Sequence, residues 1–186
     1  MKVELVDKVA FLEEAKAGAG MPMSLDAKPK VPKMVKKLGK AKAGTGHDCF
    51  LKGIRVMMDI TATQFEWMQI ERYTFLDIVS SQSKMHKLLE MDIRSQISYG
   101  VSETAITALE EAMDNYKADG ITIDELMCNV PCGLELTARC SASYMSLKTI
   151  YNQRKNHKLE GWQGFIKFCD SLPEFNELTG CQNGNR

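Results

Sequence analysis

The chain has 186 residues, 44% of them hydrophobic, enough for one domain with a buried core. Lys+Arg and Asp+Glu both number 24, so no net field draws nucleic acid or an anionic membrane to the whole surface. No apolar run approaches the ~20 residues that span a bilayer, no secretory signal pattern opens the chain, and six singly scattered cysteines point to reduced thiols in a cytoplasm rather than a disulfide framework.

Residues 2–6 alternate as an opening strand, and 9–16 read as a short helix stopped by Gly18 and Gly20. A Pro-, Lys- and Gly-rich loop region follows over 20–45, punctuated by Pro22, Pro29 and Pro32. Between Lys28 and Lys42 there are seven lysines and no acid, which makes a solvated, mobile face or a surface that meets phosphate. The glycines of 39–46 lack the Gly-Lys-Ser/Thr ending of a P-loop. Gly46 and His47 open a new unit, with Asp48 as an early helix anion, 54–60 as a strand and 62–70 as a helix. Taken alone, His47 reads as a structural histidine.

From Gln69 the chain passes through a short aromatic strand into a polar loop holding Ser80, Ser81, Gln82, Ser83, Lys84 and His86. Hydroxyls, amides and free backbone N–H groups in one place are the raw material of a phosphate or nucleotide site. The plainer alternative is a surface turn with Ser83 as the N-cap of the next helix. That helix covers 84–91, and a longer one covers 103–116 with Ser102 as N-cap and Gly120 past its end. Its Ile106, Leu109, Met113 and Tyr116 repeat at helical spacing and form scaffold. A short helix at 121–127, a strand at 134–140, helices at 143–156 and 160–171 and a polar tail at 181–186 complete the chain.

In the helix over 143–156, Leu147, Ile150 and Tyr151 share a face, and Arg154 lies two turns beyond Leu147. An inward guanidinium needs an anionic partner, either a ligand or an acid such as Glu135. His157 lies one turn further on. Cys128, Cys132 and Cys140 with His157 hint at zinc, but the C-x-x-x-C spacing is not the usual knuckle and no second pair follows, so no metal is expected.

The order of these features resembles the flavin-dependent thymidylate synthases. That family carries R-H-R followed by x-x-S-x-N-E-x-S-x-R-Y. Here Arg72 stands at the first arginine, Ser80-Ser81-Gln82-Ser83 at N-E-x-S and Met85-His86 at R-Y, with one extra residue between the halves. Gly46-His47, the 54–60 strand, Gln69 and Arg72 keep the family's order and nearly its spacing. Val130-Pro131 stands for its L-P dipeptide, and Ser143-Tyr144-Met145-Ser146-Leu147 followed by Arg154 for its N-x-R-S-L and later arginine.

The resemblance implies an α+β fold over 1–186, a mostly antiparallel sheet flanked by helices. It implies a cytoplasmic homotetramer with flavin and nucleotide sites between subunits, and neither membrane attachment nor specific nucleic-acid binding. Its cofactors would be FAD, with methylenetetrahydrofolate as one-carbon donor and NADPH as reductant. The substrate would be a pyrimidine deoxynucleotide, with dUMP converted to dTMP. Arg72, Gln82, Ser83 and Arg154 fall at nucleotide-binding positions, Arg154 also polarising the ring, with His86 a further candidate. His47, Arg72, Ser80, Ser81 and His157 fall at cofactor-binding ones.

The departures are equally specific. Tyr73 and Thr74 replace the rest of R-H-R, Ser81 the signature glutamate, Ser143 an asparagine, and Met85, Met127 and Met145 three arginines. Methionine carries no charge and donates no hydrogen bond. Two readings follow: a divergent thymidylate synthase-like enzyme, or a non-enzymatic protein that keeps the fold and binds a nucleotide or another partner through a remodelled site.

Overall fold

A computed structural model describes residues 1–42, 44–98 and 100–182. Its centre is a four-stranded antiparallel sheet in the order β1-β2-β4-β3, formed by β1 (Lys2–Leu5), β2 (Arg55–Thr63), β3 (Asp77–Ser81) and β4 (Glu135–Ser143). Helices α1 (Leu12–Gly18), α2 (Val35–Gly39), α3 (Gln64–Ile70), α4 (Lys84–Lys87), α5 (Ile93–Gln96), α6 (Glu103–Lys117), α7 (Ile123–Cys128), α8 (Tyr144–Arg154), α9 (Gly161–Ser171) and α10 (Phe175–Thr179) flank it. This is the expected α+β architecture.

The sheet has one dry face because its two central strands alternate. Val56, Met58, Ile60 and Ala62 of β2 and Ala138, Cys140 and Ala142 of β4 point into a core closed by Tyr144, Leu147, Tyr151, Trp162 and Phe165 of α8 and α9. Met58 faces Cys140 and Ile60 faces Ala138 across the ladder. The other face is polar. There Arg139 donates two 2.8 Å bonds to the Asp59 carboxylate, and Arg55 Nη2 approaches Asp77 Oδ2 at 3.3 Å. A second core gathers Leu88, Ile93, Leu109, Met113, Leu126 and Leu134 under α6 and α7.

Helix starts follow capping chemistry. Ser102 accepts from the Ala105 N–H and Ser143 from the Ser146 N–H, while Thr122 with Glu125 and Thr63 with Glu66 close capping boxes. Several boundaries differ from the sequence expectation. The first helix starts at Leu12, not residue 9, because Ala10 pairs with Arg55 and Phe11 turns the chain in a left-handed conformation (φ 61°). Asp119 (φ 55°), rather than Gly120, takes the left-handed position after α6. The region 20–45 is not all loop: a 3-10 turn at Met21–Met23 and α2 sit inside it, α2 over the lysine run.

The polar segment after Leu76 also departs from expectation. Ser80 and Ser81 belong to β3, opposite Arg139 and Ala138, with a bulge between Ile78 and Ser80. The 84–91 helix is split into α4 and a 3-10 turn at Leu88–Glu90. The tail is not polar throughout, since Cys181 is buried against the main core, just after α10. Residues 183–186 of that expected tail lie outside the described ones.

Candidate functional site

Helix α8 organises the candidate site. Its buried side is fixed by Tyr144, Leu147, Ile150 and Tyr151, so its last residue, Arg154, emerges half-buried beside α3 and α9. The guanidinium lies on two aromatic faces, with Cζ 4.5 Å from the Trp162 ring centre and 5.3 Å from that of Tyr73. Its Nε donates to the Tyr73 hydroxyl, and Nη1 donates to Gln69 Oε1 at 3.2 Å. Gln69 Oε1 also accepts from Trp162 Nε1 at 3.1 Å, which fixes the indole under the cation. Among the described residues neither Arg154 nor Glu135 enters an ion pair, so the acid staple considered from sequence is absent. Arg154 thus lies on an aromatic shelf with no described carboxylate against it and Nη2 bonded to no described residue.

His157 stands next to this shelf, its ring 6.2 Å from that of Trp162. Its Nδ1 accepts from the Leu159 N–H at 3.2 Å, which leaves Nε2 to carry the proton of the neutral ring. Burial, and then the Arg154 charge, hold its pKa below the usual histidine value.

On another side of α8 a cleft of about 880 Å³ opens, bordered by Lys40, Lys42, Lys52, Thr149, Asn152 and Gln153. Its floor is a buried ion pair. Lys148 Nζ donates to Asp48 Oδ2 (2.8 Å) and to the carbonyls of Gly39 (2.8 Å) and Ala41 (2.9 Å), using all three N–H groups and tying the 39–48 segment to the helix. Asp48 therefore serves Lys148 rather than a helix terminus. Lys40, Lys42 and Lys52 enter no ion pair among the described residues and leave the cleft positive. Sequence reading flagged the lysine run but missed Lys148 and Lys52. Their meeting with it depends on tertiary contacts, and no local pattern announces it.

The other expected site residues lie elsewhere on the chain. Arg72 is exposed just after α3. Ser83 is the N-cap of α4, accepting from the His86 N–H at 3.4 Å, as the plainer reading had it. Gln82 bonds the β4 backbone, its Oε1 accepting from the Thr137 N–H at 2.9 Å. Ser80 and Ser81 are exposed on the edge strand, and Ser81 and Gln82 border a small hollow beside α3. His47 borders a different groove, of about 690 Å³, with Met34, Leu38 and Phe50. Within one chain the structure joins Arg154 and His157 with Gln69, Tyr73 and Trp162, and does not join them to His47 or to the Ser80–Ser83 segment. Among the described residues, no group of three or more His, Cys, Asp or Glu side chains could hold a metal, and no helix is long and apolar enough to cross a membrane.

No family profile matches the sequence, and no curated protein does. Solved structures do. The flavin-dependent thymidylate synthase ThyX of Helicobacter pylori, complexed with FAD and dUMP, superposes with a TM-score of 0.75 at 16% identity, covering 97% of this chain and 99% of that one. A second structure of the same enzyme with FAD and dUMP gives 0.75 at 16% identity over 96% of both chains. The UMP/dUMP methylase PolB of Streptomyces cacaoi, bound with 5-Br dUMP, gives 0.68 at 13% identity, covering 96% of this chain and 94% of that one. At these identities the likeness is one of architecture, and the chain has a ThyX-like fold.

Proposed function

We propose that this chain is a nucleotide-binding protein whose ligand is a pyrimidine deoxynucleotide. In the finer reading it transfers a one-carbon unit to a nucleotide of the dUMP type. The observation that carries the proposal is Arg154: a guanidinium held on Tyr73 and Trp162, with no carboxylate partner and Nη2 unbonded among the described residues. A planar cation presented in this way suits a phosphate or the polarised carbonyl of a pyrimidine. That the solved structures of like fold contain dUMP, or its 5-bromo derivative, supports the same class of ligand.

FAD passes a fit test in outline. The cleft is large, and it is bordered by three ammonium groups that enter no ion pair among the described residues, as a dinucleotide's pyrophosphate requires. Lys40, Lys42 and Lys52 would neutralise that group, and Thr149, Asn152 and Gln153 would offer hydrogen bonds. When bound, FAD supplies the redox chemistry of one-carbon transfer, with methylenetetrahydrofolate as donor and NADPH as reductant. Arg154 and Gln69 hold and orient the nucleotide, and His157, kept neutral with Nδ1 engaged by the Leu159 N–H, offers its Nε2–H as a hydrogen-bond donor. Arg72, Ser80, Ser81, Gln82, Ser83 and His47 enter this reading only as contributions from neighbouring subunits of a homotetramer. Lysines hold phosphate as point charges rather than as bidentate forks, so flavin affinity is expected to be modest.

A non-enzymatic binder is favoured by one observation, that Gln82 and Ser83 spend their side chains on backbone N–H groups. Thermal melts with dUMP test the common element of both readings. Wild type should be stabilised by dUMP, and Arg154→Met should weaken binding by roughly 2–4 kcal/mol. An unchanged dUMP-induced shift in Arg154→Met overturns the role of Arg154. Titration of the apo-protein with FAD, read by fluorescence quenching, then separates enzyme from binder.

A further inference from the structure

Between α1 and α2 the chain closes a loop on itself. Gly20 packs on the Lys30 backbone so tightly that a Cβ would lie 2.2 Å from the Lys30 carbonyl oxygen. Among the described residues, every hydrogen bond of residues 21–30 ends inside this loop. The Met23 N–H donates to the Gly20 carbonyl and the Ser24 N–H to that of Met21, both at 3.0 Å. Asp26 Oδ1 accepts from the Ser24 hydroxyl and the Lys28 N–H, both at 3.2 Å. Pro22, Pro29 and Pro32 fix the backbone further without needing a donor's partner.

The side chains on this self-braced segment are apolar and cationic. Leu25, midway between Gly20 and Lys30, is wholly exposed, and Met21, Met23 and Val31 are exposed as well. Lys28, Lys30 and Lys33 interleave with them, exposed, and enter no ion pair among the described residues, whereas Lys36 is spent on Glu177. Asp26, the one acid between residues 20 and 42, is engaged within the loop. Pro22 and Met23 reach the groove that His47 borders, but Met21, Leu25, Val31 and the three lysines do not. None of those six belongs to the sites or the subunit contact proposed for nucleotide and flavin.

A wholly exposed leucine has no protein wall to pack on. A partner touching it from one side leaves much of it wet, while a fluid hydrocarbon phase surrounds it. Cations next to such side chains match the anionic headgroups at the border of that phase. We propose that the 20–33 loop binds the surface of an anionic lipid bilayer, with Leu25 and Met21 entering the headgroup–acyl boundary and Lys28, Lys30 and Lys33 meeting the headgroups. A few apolar side chains and three cations give reversible attachment to the surface. The resemblance to flavin-dependent thymidylate synthases implies no membrane attachment, and the loop lies outside every motif that carries it.

Sedimentation of the full chain with phosphatidylcholine vesicles containing about 30% phosphatidylserine tests the proposal, with pure phosphatidylcholine as reference. The chain should pellet with the first and not the second, and be released at on the order of 0.5 M salt. Lys28→Gln/Lys30→Gln/Lys33→Gln should weaken binding on the order of a hundredfold, about fivefold per lysine. Leu25→Ser should weaken it about tenfold. Leu25→Trp should emit further to the blue on vesicles and be quenched by brominated acyl chains, which adsorption by charge alone does not produce. All three variants alter exposed residues and should keep the wild-type dUMP-induced melting shift, so this proposal and the nucleotide reading fail separately. Wild type that ignores phosphatidylserine, an unweakened Leu25→Ser or an unquenched Leu25→Trp each overturns the proposal. Capture of polyglutamate without vesicle binding also overturns it and gives the surface to an acidic protein.

Discussion

Lys148→Met is the most direct probe of how the lysine-bordered cleft is held. The ammonium it removes is 10% exposed and its partner Asp48 3% exposed, and all three of its N–H groups are used. Methionine fills similar volume but leaves a buried carboxylate without a counter-charge and two carbonyls without a donor. Breaking a buried pair from one side costs about 3–5 kcal/mol. For a chain of this length about 2–4 °C is lost per kcal/mol, so melting should fall by on the order of 10 °C. The double variant Lys148→Met/Asp48→Leu removes both charges and should recover most of that loss, because the pair's net worth is far smaller than the penalty of stranding one member. Denaturant melts at unchanged m-value measure both variants. A single variant within about 1 kcal/mol of wild type, or a double variant no better than the single, refutes this account. Because the pair anchors the 39–48 segment, Lys148→Met should also loosen any phosphate ligand held by Lys40 and Lys42.

Three further outcomes are expected. His157 has a folded-state pKa below the usual 6.5, so the unfolded chain protonates first as pH falls. Its contribution is full above that value and lost as pH drops through the folded one, so His157→Gln should flatten stability against pH just below the usual histidine value, and superimposable slopes would refute the shift. Gly39→Ala places a Cβ 2.2 Å from the Leu178 carbonyl oxygen, which forces α2 off α10 and should cost about 1–3 kcal/mol by denaturant melt; a neutral variant would show that these helices slide freely. Edge strand β3 is exposed along its length, with Ile78, Val79 and the preceding Phe75 open to solvent, so light scattering should report a tetramer, and a single-chain mass at working concentration would remove the shared sites proposed above.

What was legible in the sequence was whatever local chemistry enforces. The central strands were read at 54–60 and 134–140, the start of α6 from its Ser102 cap, and Trp162, Phe165, Ile166 and Cys169 as inward residues of the next-to-last helix, and all four of the latter are buried. Arg154 was legible as inward because α8 carries Leu147, Ile150 and Tyr151 on the adjoining face. β3 was harder to read. All five of its residues are exposed, so it has no alternation, and its serines resembled a loop although the ladder to β4 runs through them. Nor could sequence pair Lys148 with Asp48, 100 residues apart, or anticipate α10, which follows a left-handed Glu174 (φ 53°).

The three methionines that stand where the resemblance would place arginines have different fates, and these bear on function. Met127 packs into the second core and Met85 is 56% exposed, so neither borders the shelf under Arg154. Met145 lies in the wall of the lysine-bordered cleft and packs against the main core. Positive charge is thus missing from that wall, yet it stands around the same cleft at Lys40, Lys42 and Lys52. The field that greets an anion is preserved while the directional donors are not. Lysine ammoniums at an open cleft attract phosphate without fixing its orientation, and salt screens them readily. In the proposed reading the nucleotide is met instead by Arg154, held on Tyr73 and Trp162 at another side of α8. A phosphate ligand of the cleft should therefore bind loosely and weaken with salt, while selectivity for a nucleotide rests on the separate planar contact at Arg154.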